Sequence, residues 1–107
     1  MAYLDYDRTL GTNELGAINE MKAVIWLMEQ GYQVFTNIKG TGPADMVAWR
    51  PETNETMVID VKTMRLYRKA DGTLQYNSSI GNNKDKRRKP FVAYLGYCPE
   101  DNTFRWI

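Results

Sequence analysis

The segment Thr56–Met64 is the feature that most constrains the fold of this chain. Its apolar run Met57-Val58-Ile59, followed by Val61, is typical of a strand at the centre of a sheet. Asp60 and Lys62 interrupt this run. Because side chains alternate along a strand, this acid and this base share one face and lie about 7 Å apart. A buried strand that carries them must either pair them with each other or use them for chemistry.

The chain contains no histidine, and this absence excludes several classes of enzyme. The Ser-His-Asp and Cys-His nucleophile systems need an imidazole base. Zinc sites that depend on imidazole are excluded for the same reason. Any catalysis must therefore use carboxylates, lysine, hydroxyl groups or a hard metal ion.

The length and the single cysteine indicate an intracellular protein of one domain. The 107 residues suit a single domain, 1–107. Cys98 is the only cysteine, which excludes an internal disulfide and favours a cytoplasmic location. The acidic N-terminus lacks a signal-peptide pattern, and no apolar run approaches the ~20 residues that a membrane span needs. We therefore expect no association with a membrane.

The predicted elements are one helix, three strands, a polar excursion and two further strands. Residues 1–11 are predicted to form an extended arm. The helix begins at Thr12 or Asn13, either of which can cap it, and runs to about Gln30, with Gly31 closing it. The strands are predicted over Tyr32–Ile38, Asp45–Arg50, Thr56–Met64, Phe91–Tyr97 and Thr103–Ile107, with a hairpin formed by Leu66–Lys69 and Thr73–Asn77. We expect an α/β fold in which the N-terminal helix packs on a mixed five-stranded sheet.

Two aspartates are predicted to meet where the second and third strands lie side by side. Asp45 opens the second strand, and its carboxylate can approach that of Asp60 if the two strands are neighbours. Two close carboxylates repel each other, and a divalent cation removes that repulsion. Mg²⁺ prefers oxygen ligands and keeps several waters, so two aspartates and a backbone carbonyl suit it. The carbonyl of Val61 is the candidate for that third ligand.

Glu20 is predicted to lie on the apolar face of the helix. At ~100° per residue it falls beside Val24 and Leu27, opposite a polar face that includes Asn19 and Lys22. A buried carboxylate without a partner is costly. Its partner is either a metal ion shared with the two aspartates or a basic residue in a buried ion pair.

Positive charge is concentrated in the second half of the chain. Residues 1–61 contain four basic and nine acidic residues, whereas residues 62–107 contain ten basic and four acidic residues. The basic run over 84–89 belongs to this positive half, and a cluster of this kind can bind phosphates. For the run alone, a solvated loop is an equal alternative. The candidate DNA-binding residues are Arg65, Arg68, Lys69, Lys84, Lys86, Arg87, Arg88 and Lys89.

Taken in order, these motifs resemble the PD-(D/E)XK nuclease superfamily. The resemblance rests on Glu20, on Gly42-Pro43-Ala44-Asp45 and on Ile59-Asp60-Val61-Lys62, and it covers roughly residues 12–64. The segment from Gly16 to Glu20, with Gly31-Tyr32 eleven residues later, is similar to the first helix of archaeal Holliday junction resolvases and related small phage or mobile-element nucleases. The resemblance implies a restriction-endonuclease-like core. In this chain the second helix of that family is expected to be reduced, or replaced by the hairpin and by the basic loop that contains residues 84–89.

The resemblance also implies an activity and roles for the motif residues. The family hydrolyses phosphodiester bonds of DNA with Mg²⁺ or Mn²⁺. Asp45 and Asp60 would be the main metal ligands, Glu20 would complete the metal site, and Lys62 would orient or activate the attacking water. Because one site cuts one strand at a time, a homodimer or larger assembly is expected for a duplex or junction substrate.

Two other functions fit the same residues. A catalytically inactive nucleic-acid-binding module would keep the fold, although a decayed site usually loses one member of its catalytic set. A structural or adaptor protein would use Asp60 and Lys62 only as a salt bridge, and it would neither need Mg²⁺ nor bind DNA. A cleavage assay with and without Mg²⁺ separates these alternatives from an endonuclease.

Overall fold

A computed structural model describes residues 11–82 and 84–107, which form one helix and six strands. In chain order the elements are α1 (Thr12–Glu29), β1 (Gln33–Thr36), β2 (Met46–Arg50), β3 (Glu55–Arg68), β4 (Leu74–Ser78), β5 (Val92–Cys98) and β6 (Thr103–Trp106). The arm predicted for residues 1–11 lies, apart from Gly11, outside the described residues. Within the described residues, no helix is both long enough and apolar enough to cross a membrane.

The strands form a mixed sheet in the order β1-β2-β3-β5-β6. β3 and β5 are parallel, and the other neighbouring pairs along this path are antiparallel. This arrangement confirms the predicted mixed sheet of five strands with a helix packed on it. A sixth strand, β4, pairs with the outer part of β3.

The predicted break between the third strand and the hairpin is wrong. β3 is one strand of 14 residues that runs through both segments. Its pairing with β5 ends at Thr63, and its pairing with β4 begins at Met64. Because β4 replaces β5 as the hydrogen-bonding partner from Met64 onward, the backbone of β3 stays paired and extended.

The core lies between α1 and one face of the sheet. Ala23 and Leu27 of the helix pack with Met46, Ala48, Ile59 and Leu95, and all six are at most 2% exposed. Ile59 faces the helix. Because side chains alternate along a strand, Asp60 and Lys62 point to the opposite face of the sheet. The acid–base pair of β3 therefore lies outside the main core.

The two ends of α1 differ in how well the sequence predicted them. Gly11, and not Thr12 or Asn13, is the N-cap residue, and it makes no side-chain capping bond. The predicted C-terminal end is confirmed. Gly31 adopts φ of 94°, and the N–H groups of Gly31 and Tyr32 donate to the carbonyls of Met28 and Leu27. This is a Schellman motif, which favours glycine because of the positive φ.

Asn19 corrects the predicted orientation of the helix. The sequence pattern places it on the polar face of α1, yet it is 3% exposed. Its Nδ2 donates to Oγ1 of Thr63 on β3 at 2.9 Å. The buried stripe is thus Asn19, Ala23 and Leu27, whereas Met28, the residue after Leu27, is 60% exposed. A buried amide is tolerated here because it has a hydrogen-bonding partner.

We expect Asn19→Ala to destabilise the fold by about 1 kcal/mol. The substitution removes the bond to Thr63 and leaves a small gap under the helix. Urea unfolding followed by circular dichroism measures the loss. The double variant Asn19→Ala/Thr63→Val is the control. If the bond stabilises the fold, the double variant will lose less stability than the sum of the losses of the two single variants. Equal values would show that the bond contributes nothing.

Candidate active site

The register of two strands brings Asp45 beside Asp60. β2 and β3 are antiparallel with Met46 opposite Ile59. Asp45, which precedes Met46, therefore lies opposite Asp60, which follows Ile59. The N–H of Asp45 donates to the carbonyl of Ile59 at 2.9 Å, and the N–H of Val61 donates to Oδ2 of Asp45 at 2.7 Å. These two bonds to β3 fix the Asp45 carboxyl group against the strand that carries Asp60.

The carboxyl groups of Asp45 and Asp60 are in hydrogen-bonding contact. Burial, followed by this contact, raises the pKa of Asp60 from 3.8 to about 6, and the neighbouring Lys62 offsets only part of that rise. Burial also raises the pKa of Asp45. Because two neighbouring carboxylates repel each other, Asp60 keeps its proton to a higher pH than a free aspartate does.

Lys62 completes the acid–base arrangement on β3. Its Nζ lies 2.9 Å from Oδ2 of Asp60, and the side chains of Lys62 and Asp60 are 30% and 16% exposed. The predicted common face for these two residues is therefore confirmed by their contact. The ammonium group retains access to solvent and hence to a ligand.

Glu20 approaches the aspartates from the helix. It is half-buried on α1, and its hydrogen bond and its charge both raise the pKa of Asp45. The contacts form a sequence: Glu20 acts on Asp45, Asp45 on Asp60, and Asp60 on Lys62. The structure thus brings together the four residues that the sequence predicted as catalytic.

The acidic groups are not spaced as a finished three-ligand metal site. Among residues 11–82 and 84–107, no group of three or more His, Cys, Asp or Glu side chains is placed to hold one ion. The chemistry of the pair formed by Asp45 and Asp60 nevertheless suits a hard divalent cation. Its donors are oxygens, and Mg²⁺ commonly takes only one or two carboxylates and keeps several waters. Val61, whose carbonyl was the predicted third ligand, contacts the site through its N–H.

A cleft of about 300 Å³ opens over the acid–base pair. Asp60, Lys62 and Tyr94 line it from the sheet, and Arg87 and Lys89 line it from the loop before β5. Two of the predicted DNA-binding residues therefore reach the same cleft as the predicted catalytic residues. Opposite charges lie within it, as a site for a cation and a phosphate requires.

Tyr94 is a residue of the cleft that the sequence did not reveal. It lies directly beside Asp60 in the parallel pairing of β5 with β3 and is 4% exposed. Its hydroxyl accepts a hydrogen bond from the N–H of Lys89 at 2.7 Å, which holds the basic loop at the cleft. A tyrosine in a strand gives no sign of this role, because the parallel register cannot be read from the sequence.

The basic loop contains both structural and accessible cations. The guanidinium of Arg88 donates to the carbonyls of Gly81, Asn82 and Ile107 and lies 5.0 Å from the centre of the Tyr94 ring. Arg88 therefore ties the loop to the end of the chain. Its predicted role in DNA binding finds no geometric support. Lys84, Lys86 and Lys89 are exposed.

Acidic partners restrain two of the predicted DNA-binding arginines. Nη2 of Arg87 lies 2.7 Å from Oδ2 of Asp85, which holds the pKa of Asp85 well below its usual range. Nε of Arg65 lies 3.2 Å from Oε1 of Glu100.

Arg68 and Lys69 lie near the turn between β3 and β4. Arg68 donates to the carbonyl of Gly72, and the backbone of Lys69 closes the turn with Thr73. Neither side chain lines the cleft. Of the predicted DNA-binding residues, only Arg87 and Lys89 line it beside Asp60 and Lys62.

No family model matches this sequence, and no curated protein matches it either. Its fold is similar to the solved structure of a bacterial homing endonuclease, I-Ssp6803I, with a TM-score of 0.64 and 20% sequence identity. The similarity covers 91% of this chain and 64% of the endonuclease, so this chain spans about two thirds of that structure. Over most of its length the chain therefore shares the fold of that structure.

Proposed function

We propose that this chain is a metal-dependent DNA endonuclease of the PD-(D/E)XK type with a restriction-endonuclease-like core. One observation carries the proposal: the carboxyl groups of Asp45 and Asp60 meet beside Lys62. The similarity in fold to a homing endonuclease supports DNA as the substrate. Neither the residues alone nor the fold alone would justify this function.

A purely structural salt bridge does not account for the arrangement. The ion pair between Asp60 and Lys62 would suffice for that role, and it is present. Burial, followed by the contact with Asp45 as a second acid, raises the pKa of Asp60 despite the lysine. Acidic groups held together against their mutual repulsion are typical of functional sites. Their contact lowers the stability of the fold, and proteins tolerate such a cost where function requires it.

Lys62 and the carboxylates would divide the chemistry between them. Asp45 and Asp60 would hold a divalent cation, which would supply a water of lowered pKa and neutralise charge on the phosphate. Lys62, as a point charge beside that pair, would hold the attacking water and stabilise the negative charge that develops on the phosphate. Glu20 would restrain Asp45 from the helix side.

Arg87 and Lys89 would hold the DNA strand at the cleft. Both side chains line it beside Asp60 and Lys62, so a phosphate that enters meets basic groups on both sides. Lys84 and Lys86 on the same loop are exposed and would contact neighbouring phosphates. These contacts position the backbone and carry no sequence information.

We also propose that the active form is a homodimer or a higher oligomer. One cleft acts on one strand, so cutting both strands of a duplex or a junction needs a second copy. The helix presents an apolar stripe suited to such a contact, since Met21, Ile25 and Met28 are 57–60% exposed. Analytical ultracentrifugation tests this proposal, and a monomer in the presence of DNA would contradict it.

A cleavage assay on defined DNA substrates tests the activity. Linear duplex, single strand, flap and four-way junction are each incubated with Mg²⁺ and, in parallel, with EDTA. The expected result is cleavage of at least one substrate that disappears in EDTA. Binding without cleavage would favour the inactive DNA-binding module, and the absence of both would favour the structural protein.

The double variant Arg87→Ala/Lys89→Ala should weaken DNA binding about tenfold and make it less dependent on salt. Each lost phosphate contact lowers the slope of log affinity against log salt by about 0.9 for duplex DNA. Fluorescence anisotropy at several salt concentrations measures the slope. Lys22→Ala, which removes a lysine of α1 that does not line the cleft, is the matched control. An unchanged slope in the double variant would exclude this loop from phosphate binding.

A further inference from the structure

Tyr94 brings a buried hydroxyl group to the cleft of the candidate active site. It lies on β5 directly beside Asp60 of β3, and residues paired in this way point to the same face of a sheet. Asp60, Lys62 and Tyr94 all line the cleft. Tyr94 is 4% exposed, as expected for a residue at the bottom of a cleft rather than at its rim. The proposed division of the chemistry gives this hydroxyl no part.

Two contacts with the basic loop hold the Tyr94 side chain in place. The backbone N–H of Lys89 donates to the hydroxyl oxygen at 2.7 Å. The guanidinium of Arg88 lies 5.0 Å from the centre of the ring, and it is itself bonded to the carbonyls of Gly81 and Ile107. Because these contacts form within the folded chain, the hydroxyl is already fixed at the cleft before a ligand binds.

The hydroxyl of Tyr94 uses only its capacity to accept in these contacts. A backbone N–H can only donate, so the oxygen accepts the bond from Lys89 and its own hydrogen remains to be donated. Within residues 11–82 and 84–107 no group accepts this hydrogen, and the carboxyl group of Asp60 contacts Asp45 and Lys62 instead. A buried donor without an acceptor is unfavourable. The missing acceptor therefore has to enter through the cleft.

The charges in the cleft favour a phosphate as that acceptor. Lys62 and Lys89 line the cleft on either side of the acidic Asp60, and their positive charge attracts an anion. The non-bridging oxygens of a phosphodiester carry negative charge, and they accept hydrogen bonds without donating any. A hydroxyl that donates to a charged oxygen makes a stronger hydrogen bond than one that donates to a neutral group.

We propose that Tyr94 is a further catalytic residue, whose hydroxyl donates a hydrogen bond to a non-bridging oxygen of the phosphate that is cut. The bond strengthens as negative charge develops on that oxygen, so it stabilises the transition state more than the bound diester. Tyr94 keeps its proton and forms no covalent bond. This role rests on the proposed endonuclease function and adds one residue to the four predicted as catalytic. It is separate from the contact with Lys89, which anchors the loop.

Tyr94→Phe tests the role, with Tyr97→Phe as the matched control. Tyr97 lies on the same strand and is 1% exposed, and its hydroxyl also has partners, Lys22 and Asn102. It is three residues from Tyr94 and therefore on the opposite face of the sheet, and it does not line the cleft. Single-turnover cleavage in Mg²⁺ gives the rate of the chemical step, fluorescence anisotropy in EDTA gives the DNA affinity, and thermal melting confirms that each variant is folded.

Tyr94→Phe should cut about 10- to 100-fold more slowly than the wild type, because it lacks one donor to a charged oxygen. Its affinity for DNA in EDTA should stay within about threefold of the wild type, since the bond acts mainly in the transition state. Tyr97→Phe should cut like the wild type. If Tyr94→Phe cuts at the rate of the wild type, Tyr94 has no catalytic role although the endonuclease function stands. If the wild type cuts nothing, both proposals fail.

Substrates with one non-bridging oxygen replaced by sulfur separate a catalytic hydroxyl from one that only anchors the loop. Sulfur is a weak acceptor, so it weakens the bond from Tyr94 in the stereoisomer that places it opposite the hydroxyl. That stereoisomer should slow the wild type by a larger factor than it slows Tyr94→Phe, which has already lost the bond. If each stereoisomer slows the two proteins by the same factor, Tyr94 only anchors the loop, and its proposed contact with the phosphate is wrong.

Discussion

Lys62→Ala should reduce the rate of Mg²⁺-dependent DNA cleavage about 100- to 1,000-fold. The Lys62 ammonium lies 2.9 Å from Asp60, and both residues line the cleft that would take the phosphate. Removing one such preorganised positive group typically costs a factor of this size, because it stabilises charge that develops only in the transition state. Single-turnover kinetics with enzyme in excess measures the chemical step without interference from product release.

The matched control for this variant is Lys22→Ala. Lys22 donates to the hydroxyl of Tyr97 and does not line the cleft, so a loss of DNA affinity or of stability that follows from removing any bonded lysine would appear in both variants. Asp60→Ala is the second test of the site and should abolish cleavage as well. Cleavage by Lys62→Ala within about threefold of the wild type would show that this cleft is not the catalytic centre.

The sequence predicted the β3 side of the site because two strong local signals coincide there. A long apolar run indicates a central strand, and strict alternation then puts Asp60 and Lys62 on one face. Asp45 followed because β2 and β3 are joined by only Pro51–Asn54, and a connection that short makes neighbouring antiparallel strands. Short-range rules were sufficient for these three residues.

The helix was harder to orient from the sequence. Apolar and polar residues are spread around the circumference of α1, so no single stripe stands out in the 3.6-residue period. The buried position of Asn19 depends on Thr63, which lies 44 positions away in the sequence. Glu20 nonetheless reaches Asp45, because a half-buried position beside that stripe is close enough.

The roles of the basic residues depend on contacts that no local pattern reveals. Arg88 and Lys89 are neighbours in one charged run, yet Arg88 is bonded to three backbone carbonyls, including that of Ile107, and Lys89 lines the cleft. Arg65 lies in β3, three positions after Lys62, and contacts Glu100, 35 positions later. A charged run predicts where phosphate-binding residues are, and the folded loop decides which of them can act.

Asp60→Asn should make the metal-free protein more stable at neutral pH. Asp60 has a pKa of about 6 in the folded protein against 3.8 for the free side chain, so the folded state binds more protons between these values. Wild-type stability therefore falls as the pH rises from about 4 to above 6. Asparagine cannot ionise and avoids this loss. The expected gain at pH 7.5 is about 1.5 kcal/mol, half of what the full shift would give, because the side chain is partly in contact with water.

Urea unfolding in EDTA at pH 5 and at pH 7.5 measures this effect. The wild type should lose stability between the two pH values more than Asp60→Asn does. Glu52→Gln is the control, since Glu52 is an exposed acid in the loop between β2 and β3. Equal pH dependence in Asp60→Asn and the wild type would show that Asp60 is an ordinary carboxylate without a strained contact to Asp45.

Mg²⁺ should reverse the order of stability at pH 7.5. A cation that binds the folded wild type between Asp45 and Asp60 stabilises it by about 2.7 kcal/mol at a hundred times its Kd. The asparagine variant has lost one anionic ligand and should gain much less, so it becomes the less stable protein. This pattern would identify the close pair of acids as a cation site that lowers stability until it is filled. If Mg²⁺ stabilises the wild type and Asp60→Asn equally, the ion binds elsewhere, and the metal site proposed for the endonuclease is wrong.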